Sequence, residues 1–159
     1  MWTAPNGRKI SIMLAEIGLA YAVKTLDIDH CEQFAPVYLG ISPNNKIPAI
    51  VDDLDKGGSL AIFESGAILT YLAETSGQLL AASRAARYRA LKWLHCSIGG
   101  LGPMLGQLMF FAARSEVKAP FAITRFIKES DRLLGVLERR LLEAPFLGGD
   151  HYTIADIAA

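Results

Sequence analysis

From Arg8 to Ala20 the apolar residues Ile10, Met13, Leu14 and Ile17 recur every three or four positions, which predicts a helix with one buried face. Gly18 supplies its stop. Tyr21 to Asp27 alternates weakly and predicts a strand. His30 to Lys46 has no period and is rich in Pro, Gly and Asn, so it reads as irregular chain. Ile47 to Val51 is a short apolar strand interrupted by Pro48. A turn at Asp55 to Ser59, carrying Gly57 and Gly58, then leads into a returning strand, Leu60 to Phe63. Glu64 to Ser76 restores the helical period with Ile68, Leu69 and Leu72 inward, and Gly77 closes it.

Beyond Gly77 the pattern changes. Gln78 to Ser83 reads as a linker, and helical periodicity fills the rest, in stretches near Ala86 to Arg114 and Pro120 to Leu142. The order predicts a small α/β domain over residues 1–77 and an all-helical domain over 84–159. Trp93 to Ala113 carries no Asp, Glu, Lys or Arg and matches a membrane span in length. It also holds Gly99, Gly100, Gly102, Pro103 and Gly106, so the favoured expectation is a buried core helix bent at Gly99–Pro103.

Composition narrows the partners. Sixteen basic residues balance sixteen acidic ones in 159 residues, so no net field favours nucleic acid or an anionic membrane. The two cysteines, Cys31 and Cys96, form no CxxC pair, and His30, His95 and His151 are scattered, so no metal site is expected. Met1 to Asn6 does not read as a secretory leader. The expectation is a cytoplasmic protein with reduced thiols.

Candidate chemistry begins at Pro48. Proline cannot donate to a sheet ladder, so it belongs at a strand start or edge, where a cis bond is accommodated. There the N–H and C=O of Ile47 would be free to pair with an extended peptide. An edge proline with no ligand gives the same pattern. Ser65 stands where the following helix wants an N-cap, and a helix start attracts anions. Glu64 beside it suits an ammonium group. A plain cap with an incidental acid is the alternative, but together the two features fit an α-amino-acid head joined to an extended peptide, as in glutathione.

The runs Ile41-Ser42-Pro43-Asn44-Asn45-Lys46-Ile47-Pro48-Ala49-Ile50 and Phe63-Glu64-Ser65-Gly66-Ala67-Ile68 resemble the glutathione-binding core of glutathione transferases. With Pro5-Asn6-Gly7-Arg8-Lys9, Gly99 to Gln107 and Thr153-Ile154-Ala155-Asp156, the chain resembles the bacterial Nu-class enzymes, glutathione-dependent disulfide-bond reductases. Thr153 and Asp156 also have capping-box spacing.

The resemblance implies a thioredoxin-like N-terminal domain with a cis proline, followed by a transferase-type helical domain, and a homodimer. It implies glutathione as cosubstrate with a disulfide or an electrophile as second substrate, and no metal. It puts Asn6, and more weakly Thr3, near the glutathione sulfur as catalytic residues. Gln33 would contact the glycine end, and Ile47 would pair through its backbone, with Lys46 and Pro48 beside it. Glu64 and Ser65 would hold the γ-glutamyl head, and Arg125 would reach glutathione from the helical domain. A conjugating transferase for apolar electrophiles and a non-catalytic glutathione- or partner-binding module remain as alternatives.

The chain departs from the class in several places. It reads Thr3-Ala4-Pro5-Asn6 where the class reads Thr-Pro-Asn-Gly, and Gln107 to Phe111 is more apolar. The family's first strand is expected to be missing before Thr3, and the helical domain to be incomplete after Ala159. Cys31, two residues before Gln33, is not expected from the class and reads as an inert thiol or, less readily, a partner for a mixed disulfide with glutathione.

Overall fold

The computed structural model describes residues 4–54 and 57–159. They divide into two compact units, Met1–Gln78 and Leu79–Ala159.

The first unit opens with α1, Pro5–Ile17. It begins three residues before the periodic stretch because Pro5, with φ already fixed, is well placed in a first turn. It ends at Gly18, whose φ of 68° lets the chain leave the helix. Ile10, Met13 and Leu14 are buried, and α1 packs on α3, Ser65–Ser76, whose Ile68, Leu69 and Leu72 complete the core. A 3-10 turn, Glu32–Phe34, and a one-turn helix α2, Pro36–Leu39, follow.

Strands β1, Ala49–Asp53, and β2, Ser59–Phe63, form an antiparallel hairpin with Ala49 opposite Phe63 and Asp53 opposite Ser59. Gly57 and Gly58 turn it with φ of 83° and 97°; Asp55, in the expected turn, lies outside the described residues. The Tyr71 hydroxyl donates to the Asp52 carboxylate and ties α3 to β1. That carboxylate also raises the Tyr71 pKa.

The strand expected over Tyr21 to Asp27 does not form among the described residues. Its alternation is real, but Tyr21 and Val23 lie exposed and no neighbouring strand takes up its backbone groups.

The second unit is helical. A continuous helix runs from Arg84 to Arg114. It comprises α4, Arg84–Cys96, a π-helical turn Ser97–Leu101, α5, Gly102–Met109, and a second π-helical turn Phe110–Arg114. The π turn coincides with the expected bend, and a Cβ on Gly102 would come within 3.2 Å of the Ser97 carbonyl. α5 packs on α6, Pro120–Glu143, and α4 packs on α7, Ile154–Ala158.

The expectation of a buried helix is corrected. Only 11% of its most apolar 18-residue window is buried, although by length and composition the helix is apolar enough to cross a membrane. Leu94 and Leu101 enter the core while Leu105, Met109 and Phe110 stay exposed. Apolar sequence sets what a face can bury, and the neighbours decide whether it does.

Candidate functional site

The site lies within the first unit, where three segments meet: the start of α1, the loop leading into β1, and the junction of β2 with α3. They enclose a small cleft of about 50 Å³. Asn6, Lys46, Ile47, Pro48, Glu64 and Ser65 line it, and all six had been singled out from sequence. Ser42, Asn44 and Phe63 line it too and had not been. Ser42 and Asn44 stand in the quoted Ile41–Ile50 run and Phe63 in the Phe63–Ile68 run, but nothing local shows which residues of those runs face inward.

The Ile47–Pro48 peptide bond is cis. Pro48 directly precedes β1, and neither the N–H nor the C=O of Ile47 meets a partner among the described residues. The preceding carbonyl, that of Lys46, accepts two hydroxyl donors, Tyr38 Oη at 2.7 Å and Ser42 Oγ at 3.1 Å. Asn45 turns the loop with φ of 47°, its N–H donating to the Ser42 carbonyl.

Across the cleft, Glu64 occupies φ 70° and ψ 118°. This left-handed backbone is sparsely populated for a non-glycine residue, and such conformations persist where surrounding structure holds them. It also corrects the expected cap. Ser65 is already helical, so the cap lies one residue earlier than expected, at Glu64. The first backbone bond of the helix runs from the Ile68 N–H to the Glu64 carbonyl at 3.0 Å. Glu64 makes no capping bond with its side chain. The N–H groups of Ser65, Gly66 and Ala67 therefore carry the unsatisfied positive end of α3. Ser65 is buried, and its hydroxyl has no partner among the described residues.

The Glu64 carboxylate turns instead toward the loop, where Asn44 Nδ2 donates to its Oε1 at 3.2 Å. The cleft thus offers a carboxylate, a bare helix start and an unpaired strand-edge amide. Such a set can hold a carboxylate and an ammonium on one carbon atom and pair with an amide nearby.

Asn6 sits in the first turn of α1, exposed, with a side-chain amide free of partners among the described residues. Gln33 is in the 3-10 turn and is not among the lining residues; its Oε1 is buried without a hydrogen-bond partner. Thr3 lies outside the described residues. Arg125 belongs to α6 in the other unit, where its guanidinium is 3.8 Å from Glu129 and largely exposed. Cys31 is exposed at φ 61°, and Cys96 is likewise a free thiol. Among the described residues no group of three or more His, Cys, Asp or Glu could hold a metal.

Comparison with known proteins points the same way. Residues 1–74 match the family described as glutathione S-transferase, N-terminal domain. The chain is 49% identical over 156 residues to the disulfide-bond oxidoreductase YfcG of Escherichia coli, covering 97% of this chain and 73% of that protein. It superposes on a glutathione transferase family member from Pseudomonas fluorescens, solved with two glutathione molecules bound. The TM-score is 0.94 at 48% identity, over 98% of this chain and 70% of the other. A glutathione transferase from Pseudomonas putida, with one glutathione disulfide bound per subunit, gives a TM-score of 0.92 at 49% identity, over 98% of this chain and 68% of that one.

Proposed function

We propose that this chain, which belongs to the glutathione transferase superfamily, binds glutathione in the cleft of its thioredoxin-like unit and uses the bound thiolate to reduce disulfide bonds. The observation that carries the reading is the juxtaposition in one cleft of the unpaired Ile47 amide with the uncapped start of α3 and the Glu64 carboxylate. Glutathione matches these in order. Its cysteinyl backbone pairs with Ile47 as an added strand. Its γ-glutamyl carboxylate lies against the N–H groups of α3, and its ammonium faces Glu64.

Asn6 is the residue we assign to the sulfur. A neutral amide donor stabilises thiolate over thiol and so lowers the thiol pKa. The thiolate attacks one sulfur of the substrate disulfide. That S–S bond breaks, a mixed disulfide with glutathione forms, and the other sulfur leaves as a thiolate that takes up a proton. A second glutathione thiolate then attacks the mixed disulfide, releasing the remaining substrate thiol and glutathione disulfide. The protein supplies position and charge, and glutathione supplies the electrons. The relatives solved with two glutathione molecules, or with glutathione disulfide, support a site large enough for that second step.

We assign Gln33 to the glycine end of the ligand, Arg125 a part in glutathione binding, and Thr3 a lesser part near the sulfur. The exposed free thiol of Cys31 and a glutathione-driven reaction both suit the cytoplasm, where thiols stay reduced. The exposed apolar side chains of the helical unit, Phe121 among them, support a homodimer.

The test is calorimetric titration with glutathione and its disulfide, followed by turnover of hydroxyethyl disulfide against a chloroaromatic. Saturable binding with turnover of the disulfide is expected. Absence of binding by folded protein would refute the reading, and faster conjugation of the chloroaromatic would replace reduction by transfer.

A further inference from the structure

We propose that Tyr38 and Ser42 are positioning residues for the ligand-binding strand edge, acting through the Lys46 carbonyl to aim the Ile47 N–H into the cleft.

The Lys46–Ile47 peptide bond is trans, since the cis bond recorded is the next one, Ile47–Pro48. In a trans peptide unit the C=O and the following N–H lie in one plane and point in opposite directions. Whatever holds the Lys46 carbonyl therefore also sets the direction of the Ile47 N–H. Two hydroxyls hold it, Tyr38 Oη at 2.7 Å and Ser42 Oγ at 3.1 Å. A carbonyl oxygen has two lone pairs, so this one is fully used. The Ile47 N–H on the other side has no acceptor among the described residues, although Ile47 lines the cleft.

The two donors are themselves braced. The Ser42 N–H donates to the Tyr38 carbonyl at 2.8 Å, and the Ile41 N–H donates to the same carbonyl at 2.9 Å. Ser42 is fully buried, so its hydroxyl cannot exchange the Lys46 carbonyl for water. Burial also pushes the Tyr38 phenol above its ordinary pKa, so it keeps its donor proton where thiol–disulfide chemistry runs. A carbonyl held by these two hydroxyls cannot rotate outward without breaking both bonds, and the buried Ser42 hydroxyl would then be left unpaired. The unpaired amide of Ile47 is thus a built feature of this unit.

This inference rests on glutathione being the ligand, and the experiment separates the two claims. Tyr38→Phe removes one oxygen atom, and Ser42→Ala removes the second donor. Each is expected to weaken glutathione binding about three- to tenfold, as for one hydrogen bond, and the pair to weaken it further. Melting should remain cooperative. Amide exchange measured by NMR gives the readout that a merely structural role would not move. In the wild type, Ile47 should exchange freely without ligand and become protected when glutathione is added. In Tyr38→Phe that protection should fall while the α1–α3 core amides keep theirs. Folded variants that bind glutathione as tightly as the wild type would overturn the inference, as would an Ile47 amide already protected in the free protein. Wild-type protein that fails to bind glutathione would sink the ligand assignment instead, while free exchange of Ile47 in the wild type and its change in Tyr38→Phe would still report on the peptide's orientation.

Discussion

Two helices in this chain begin in opposite ways. At the start of α7 the backbone N–H groups find acceptors in the chain: Ile154 N–H donates to the Leu79 carbonyl at 3.0 Å and Asp156 N–H to the Thr153 carbonyl at 3.0 Å. Thr153 Oγ1 accepts from the Ala155 N–H at 3.3 Å. Asp156 Oδ2 accepts from the Thr153 N–H at 2.8 Å and its hydroxyl at 2.9 Å, and Asp156 Oδ1 accepts from the Leu147 N–H at 2.7 Å. At the start of α3 the cap residue is an acid in a left-handed backbone that does not cap, and three N–H groups are left open. One helix start stabilises its own unit. The other keeps its positive end available, with a carboxylate beside it. The contrast separates a helix start that is closed by its own chain from one that is left open, although both sequences put a short polar residue before an apolar run.

The comparison can be broken by exchanging effects. Asp156→Ala should have the largest one, because it strips two part-buried N–H groups and a hydroxyl of their acceptor. We expect a loss of about 3 kcal/mol in stability by denaturant unfolding. Glutathione affinity measured well below the melting transition should stay unchanged; a weakened affinity there would make α7 part of the site. Glu64→Ala should do the reverse. Loss of a charged partner predicts glutathione binding about 10- to 100-fold weaker with little change in melting. Equal losses of binding and stability would make Glu64 structural.

Asn6→Ala tests the sulfur side. Losing one amide donor should raise the bound thiol pKa by about one unit, moving the pH–rate profile to higher pH. A profile that keeps its midpoint would remove Asn6 from the chemistry. The smallest effect is expected for Asn44→Ala, which frees the Glu64 carboxylate from one neutral donor. Calorimetry should show glutathione affinity reduced about two- to fivefold. A larger loss than for Glu64→Ala would mean that Asn44 itself contacts the ligand.

Several features were legible because they are local. The Thr153–Asp156 spacing specifies a capping box by itself, and it forms as read. The periods of α1 and α3 name Ile10, Met13, Leu14, Ile17, Ile68, Leu69 and Leu72; all are buried except Ile17, which is half-buried. Pro48 marked a strand start, and it stands there after a cis bond. Other readings failed where the deciding partner is distant. The alternation over Tyr21 to Asp27 asks for a strand, but a strand exists only beside another. Ser65 has the chemistry of an N-cap, yet the positive φ of Glu64 moves the boundary by one residue.

By itself, then, the order of residues determined the elements whose stabilising contacts fall within one or two turns of chain, and it carried the motifs of the superfamily. Only the tertiary structure decided that Tyr38 and Ser42 converge on the Lys46 carbonyl, that Asn44 reaches Glu64 across twenty positions, and that the apolar helix from Arg84 to Arg114 keeps most of its face exposed. Hydrogen bonds and burial between distant segments depend on where the backbone brings them together. Side-chain type sets what each group can donate, accept or bury; the fold chooses which partner it meets.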